Sequence, residues 1–234
     1  MDRMTTPYCG APPMPADLAS AWNTDPLLLA AMAVAAICTF RVGGSRVAWA
    51  AGVAVLAVSF LSPLCALASA LFSARVLHHV LIVAVAAPLL VIGMRVRVGL
   101  SGPAFLAHMA AVWAWHLPAP YAAALSSDAV YWLMEATLLG TAVWLWSAMM
   151  VRPAQGVALA LGTLLQMGML GALLTFAGRV LHPFHALTTA PYGLDPLEDQ
   201  QLAGLLMWAP AALPYLGFAI HGVLSGVLPR AGRA

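Results

Sequence analysis

The chain has 234 residues, 63% of them hydrophobic and only 8% charged, with a formal net charge of +2. A soluble domain carries about 25% charged residues, so the composition excludes an ordinary water-soluble fold and predicts a polytopic membrane protein with short loops. All ten basic residues are arginine, and they form no basic run, which argues against a nucleic-acid partner.

Residues 1–25 hold Asp2, Arg3, Asp17 and Asp25, are interrupted by Pro7, Pro12, Pro13 and Pro15, and have no apolar core. They read as a short irregular segment outside the membrane and not as a cleavable signal peptide. Cys9 in this segment and Cys65 fall on the same side of the predicted topology. They can pair as a disulfide or as two soft metal ligands, and spacing alone leaves both open. Cys38 sits in an apolar run and reads as a packing residue.

A membrane-crossing helix needs roughly 17 to 25 mostly apolar residues. Seven stretches are predicted to cross: 26–40, 47–67, 76–94, 103–115, 129–151, 154–178 and 201–228, the first of them short. The expected architecture is an all-α bundle of seven transmembrane helices over 26–228, with an outer loop at 179–200 and a tail at 229–234. Arg41, Arg46, Arg95, Arg97, Arg152, Arg230 and Arg233 collect on one side of this arrangement, and all the acidic residues lie on the other side or inside its end. The positive-inside rule then puts the N-terminus outside and the C-terminus in the cytoplasm.

The third stretch is entered by F-S-A-R-V-L-H-H, which brings Arg75, His78 and His79 within about one turn of each other. Arg75 and His79 share a helix face. His79 is therefore expected to face the interior, and His78, about 100° away, a neighbouring helix or a headgroup. Pro88 within this stretch needs bundle neighbours to satisfy the freed carbonyl. His116, in W-H-L-P, ends the fourth stretch.

Glu135 lies about one turn into the fifth stretch, with Tyr131 one turn before it and Met134 adjacent. A carboxylate inside a membrane costs about 2.5–3.5 kcal/mol at the centre, so Glu135 must face the bundle and have a partner. It reads either as a metal ligand or proton acceptor, or as half of a structural ion pair. His79, His116 and Glu135 are the candidate metal ligands, since imidazole suits copper, zinc and iron, and thioethers suit copper(I). His108, Gln166 and His221 are too sparse to mark a conduction path. His182 and His185 form H-x-x-H in the outer loop, which is a weak metal signal. The sequence holds no nucleophile–base pair, phosphate loop or zinc-protease motif, so no catalytic turnover is expected.

Several segments in order resemble the CtaG-type cytochrome c oxidase assembly factors. They are W-N-T-D-P-L-L-L from Trp22, S-P-L from Ser62, and F-S-A-x-x-L-x-H from Phe72 running into A-P-L-L-V-I-G. W-H-L-P-A-P-Y from Trp115 and P-L-E-D-Q-Q-L-A-G-L-L-M-W from Pro196 follow, and the last block, with Asp199 and Gln200, is the most specific. The resemblance implies a bacterial inner-membrane protein that helps mature the copper centres of cytochrome c oxidase. Its implied partners are oxidase subunits, other copper chaperones and the lipid bilayer. The family pattern has histidines at both ends of an H-x-x-x-H entering the third and the fifth stretch. Here Arg75 replaces the first histidine of one pair, and Tyr131 and Glu135 replace both of the other. An Arg75–Glu135 ion pair is therefore expected where relatives hold a metal. The rival readings are a copper or proton transporter, a haem-binding electron carrier with His79 and His116 as axial ligands, and a permanent accessory subunit of the oxidase.

Overall fold

The computed structural model describes residues 6–227, and no strand occurs among them. The helices are α1 (Pro26–Ile37), α2 (Arg46–Leu61), α3 (Pro63–Ala70), α4 (Phe72–Met94), α5 (Ser101–Trp115), α6 (Pro118–Ser126), α7 (Asp128–Val151), α8 (Pro153–Phe176), α9 (Pro196–Trp208) and α10 (Ala212–Val227). Four segments are long and apolar enough to cross a membrane: α4, α7, α8 and the α9–α10 run to Ser225. The pair α2–α3, bent by 48°, is a fifth if counted as one span.

The sequence predicts seven spans, and the difference has a geometric cause. Helix α1 has 12 residues and α5 has 15, about 18 and 22 Å of helix against a hydrocarbon core of about 30 Å. The second stretch is broken where Ser62 turns extended and Pro63 opens a new helix. Arg230, Arg233 and the expected tail lie outside the described residues, as do Asp2 and Arg3.

Helix α4 is the most enclosed of the long helices, with 67% of its apolar window buried against 39% in α8. Between Leu81 and Ala86 it widens into a π-helix. Pro88 explains the departure: it has no N–H to give the preceding turn. The Ala87 N–H bonds Ile82 O, five residues back, and in that register Val83 O would face the proline nitrogen. The Trp146 indole N–H on α7 takes that carbonyl instead, at 2.9 Å.

Two glycines allow close helix crossings. A Cβ on Gly93 would stand 2.7 Å from Trp49 Cβ, so α2 and α4 touch backbone to backbone there. A Cβ on Gly204 would meet Thr175 and the Gly171 carbonyl, which locks α9 onto α8.

The ends of the bundle differ in charge. Arg41, Arg46, Arg95, Arg97 and Arg152 are exposed at the ends where α1, α4 and α7 finish and α2 begins. The described acidic residues lie toward the other end, where Tyr8 bonds Asp25, Phe72 bonds Asp199 and Arg75 meets Glu135. At that end Cys9 and Cys65 are joined as a disulfide, which resolves the alternatives left by spacing, while Cys38 is free.

Candidate functional site

Glu135 is the centre of a fully enclosed polar cluster at the acidic end of the bundle. Its Oε1 is 3.3 Å from His79 Nε2, 3.6 Å from His78 Nδ1 and 3.6 Å from Arg75 Nη1. Arg75 and His78 are completely buried and Glu135 is 2% exposed. The expected Arg75–Glu135 pair is present. The expected division of the two histidines holds only in part: His78 does meet a neighbouring helix, its ring edge-on to Phe60 of α2 at 4.9 Å, but it reaches Glu135 as well. Successive helix positions diverge by about 100°, but Glu135 stands between the two directions, and both rings reach the same oxygen.

His116 does not join this cluster. Its ring centre is 6.2 Å from that of His79. It caps α5, where its Nδ1–H turns back to donate to Val112 O at 2.6 Å. Met134 is fully buried in the apolar core. Tyr131 is fully buried too, with its ring centre 5.3 Å from Arg75 Cζ, close enough for a cation–π contact.

The helix carrying Arg75, His78 and His79 is aimed by a residue far along the chain. Leu71 is extended and supplies no side-chain cap for α4. The Asp199 carboxylate caps it from α9, accepting from Phe72 N at 2.7 Å, from Ser73 N at 3.1 Å and from the Ser73 hydroxyl. Charged acceptors at helix N-termini also complement the helix dipole. Gln200 beside it fixes the loop between α8 and α9: its Oε1 accepts from Leu181 N, and its Nε2 donates to Leu174 O and Arg179 O. The D-Q-Q block is thus a structural clamp between loop, α9 and the entrance of α4. The sequence marked the block as distinctive but carried no sign that Asp199 would cap a helix more than a hundred residues earlier.

His182 and His185 belong to the same scaffold. His182 stacks on Phe72 with ring centres 4.0 Å apart and donates from Nε2 to His116 O at 3.1 Å. His185 Nε2 shares a 2.7 Å hydrogen bond with the Tyr121 hydroxyl. Each ring thus has one nitrogen committed to holding the loop down. Burial depresses both imidazoles, His182 to about 4 and His185 to about 3, with the Arg75 charge adding to the effect on His185.

The N-terminal segment closes the acidic end of the bundle. Tyr8 stacks on Tyr131 at 4.9 Å and meets Trp132 edge-on, while its hydroxyl donates to Asp25 at 2.7 Å. That bond and the Leu27 and Leu28 amides hold the Asp25 carboxyl below its usual range. The Tyr131 hydroxyl lies 3.5 Å from Cys9 Sγ, and Asn23 Nδ2 lies 3.9 Å from Cys65 Sγ.

The donor atoms of His78, His79 and Glu135 lie within 4.8 Å of one another, compatible in spacing with a shared ion. Charge argues against one. The guanidinium on the same carboxylate oxygen already balances Glu135, so a metal ion would add a net positive charge to a buried site. At 4 Å and an effective dielectric of 20, two unit charges repel by about 4 kcal/mol. The residues present do not fit a resident metal. The guanidinium nitrogens, His78 Nε2 and Glu135 Oε2 have no hydrogen-bond partner within the protein, so the cluster rests on charge balance more than on directed bonds.

Elsewhere the buried polar groups tie helices together. His108 bonds Thr141 at 3.0 Å, and the Trp113 indole donates to Gln166 at 2.9 Å. His221 is exposed near Ser225.

A family model described as cytochrome c oxidase caa3 assembly factor matches residues 28–102 and 101–225. No curated protein and no solved structure matches the chain.

Proposed function

The chain belongs to the cytochrome c oxidase caa3 assembly factors, and from that premise we propose that it assists copper-centre maturation of the oxidase from the outer face of the bacterial inner membrane. Its action is to hold oxidase subunits during assembly, without turnover, while copper arrives through other copper chaperones. The family match over most of the chain carries this reading. The cluster around Glu135 refines it: this member uses Arg75 as the resident cation at that position, so the cluster orders the outer end of the bundle and is not itself the copper carrier.

The orientation belongs to the same proposal. The arginine-rich end faces the cytoplasm, and the end with the disulfide, Asp199 and Glu135 faces outward. The short helices α1 and α5 and the bent pair α2–α3 then complete seven crossings, which puts the chain ends on opposite sides.

Deleting the gene is expected to lower assembled oxidase severalfold at limiting copper while oxidase transcripts stay unchanged. Normal oxidase activity and normal oxidase copper content in that strain would overturn the proposal.

A further inference from the structure

The Cys9–Cys65 disulfide sits directly above the buried cluster. Cys65 is completely buried at the start of α3, just past the break at Ser62, and Cys9 is 7% exposed. Each sulfur has a polar neighbour: the Tyr131 hydroxyl beside Cys9 and the Asn23 amide beside Cys65. A disulfide sulfur has no hydrogen, so both groups act as donors. A disulfide needs no such donors, whereas a pair of thiolates does. Below Tyr131 stands the Arg75 guanidinium. Pro7 and Ala11, on either side of Cys9 in the chain, line an open cleft of about 440 Å³ with Phe184 and Leu187, so the segment that carries Cys9 borders open space although neither cysteine lines the cleft.

From this arrangement we propose that Cys9 and Cys65, once reduced, form a two-thiolate copper(I) site. The inference rests on the copper-maturation reading above and deepens it. Reduction takes two electrons and two protons from an external dithiol, which becomes a disulfide. Copper(I) then displaces the two thiol protons as two Cu–S bonds form. Thiolates select soft copper(I) over harder ions. The two-thiolate complex carries one negative charge, and because Glu135 already balances the Arg75 guanidinium, that charge is met by hydrogen-bond donors. The Tyr131 and Asn23 donors face its sulfurs. The oxidised pair holds no metal, so the oxidation state of the two cysteines decides whether copper is held or released.

The test uses the full chain in detergent, in a Cys38→Ser background that removes the free thiol. One sample stays oxidised; the other is reduced with a phosphine, which becomes a phosphine oxide. Each is titrated with copper(I) against the chromophoric chelator bicinchoninate. The expected result is one equivalent bound by the reduced protein and less than a tenth of that by the oxidised protein. X-ray absorption should show sulfur neighbours, and binding should vanish in Cys9→Ser/Cys65→Ser. The proposal is overturned if the reduced protein takes up no copper, or if the oxidised protein takes up as much. The oxidised and reduced samples share one sequence, so this comparison stands even if the serine variant does not fold. Full rescue of a deletion strain by Cys9→Ser/Cys65→Ser at limiting copper would remove the thiol site and leave the assembly reading intact.

Discussion

The Arg75 guanidinium and the Glu135 carboxylate stand 3.6 Å apart, with Arg75 wholly out of reach of solvent. Breaking such a pair from one side leaves an uncompensated buried charge, which costs about 3–5 kcal/mol, whereas replacing both partners with apolar groups is often close to neutral. Arg75→Met and Glu135→Leu are each expected to lower the melting temperature in detergent sharply, and the double variant to recover most of the loss. Additive losses, with no recovery in the double variant, would show that the two charges do not depend on each other.

The same pair governs metal affinity at this position. Arg75→His combined with Glu135→His removes the fixed cation and supplies imidazole donors beside His78 and His79. Metal analysis of protein kept oxidised, so that the cysteines are silent, should find bound copper in this variant and little in the wild type. Stoichiometric copper in oxidised wild-type protein, lost in Glu135→Ala, would make Glu135 a ligand and end the charge-balance account.

Asp199 offers a test of the scaffold. Replacing it with alanine removes the acceptor for two amides and a hydroxyl at the entrance of α4. A lost cap costs about 1 kcal/mol, and buried amides left without a partner add about 1–3 kcal/mol. Asp199→Ala should therefore destabilise the protein by a few kcal/mol and lower oxidase assembly. Asp199→Asn, which keeps one acceptor oxygen, should fall between. An alanine variant as stable as wild type would mean that α4 is positioned by packing alone.

These outcomes bear on what the chain disclosed before its fold was known. The apolar stretches and their punctuation by Arg41, Arg95 and Arg152 are local signals, and they located most helices. The Arg75–Glu135 pairing was legible because a buried charge must find an opposite one. The break at Ser62–Pro63 was missed although a serine cap followed by proline is a local helix-start signal, because the apolar run continues across it. The reach of His78 to Glu135 was not legible, since it depends on where a different helix sets Glu135. The Asp199 cap and the Trp146 bond to Val83 are tertiary contacts across many residues, and no periodicity encodes them.

The histidines of the α8–α9 loop predict an acid-sensitive fold. His182 faces Phe72 and the His116 carbonyl; His185 faces the Tyr121 hydroxyl and feels Arg75. Their folded values of about 4 and about 3 lie below the unfolded imidazole value of about 6.5. The fold therefore prefers both neutral, and the unfolded chain binds the extra protons. Stability is full above about pH 6.5 and falls as the pH drops toward 4, by up to about 2–3 kcal/mol per pH unit for two such groups. Melting curves between pH 7.5 and 4.5 should show a smaller slope in His182→Gln/His185→Gln than in wild type. Equal slopes would assign the acid sensitivity to other groups.

The proposed orientation rests on the distribution of charge. Five exposed arginines gather at one end of the bundle, and the described acidic residues lie toward the other. Arginine near the ends of spanning helices is retained on the cytoplasmic side, while acidic residues contribute little to the choice. The turn before α2 should therefore be inside and the loop around Leu187 outside. Both positions accept a cysteine: a side chain on Gly43 would meet nothing within 4 Å, and Leu187 is 91% exposed. In a Cys38→Ser background with the native disulfide intact, a membrane-impermeant maleimide should label Leu187→Cys on intact spheroplasts. Gly43→Cys should react only after the membrane is opened. If Gly43→Cys reacts on intact spheroplasts and Leu187→Cys does not, the bundle is inverted, and both the cluster around Glu135 and the thiol pair above it face the cytoplasm, where neither could serve an outer-face assembly step.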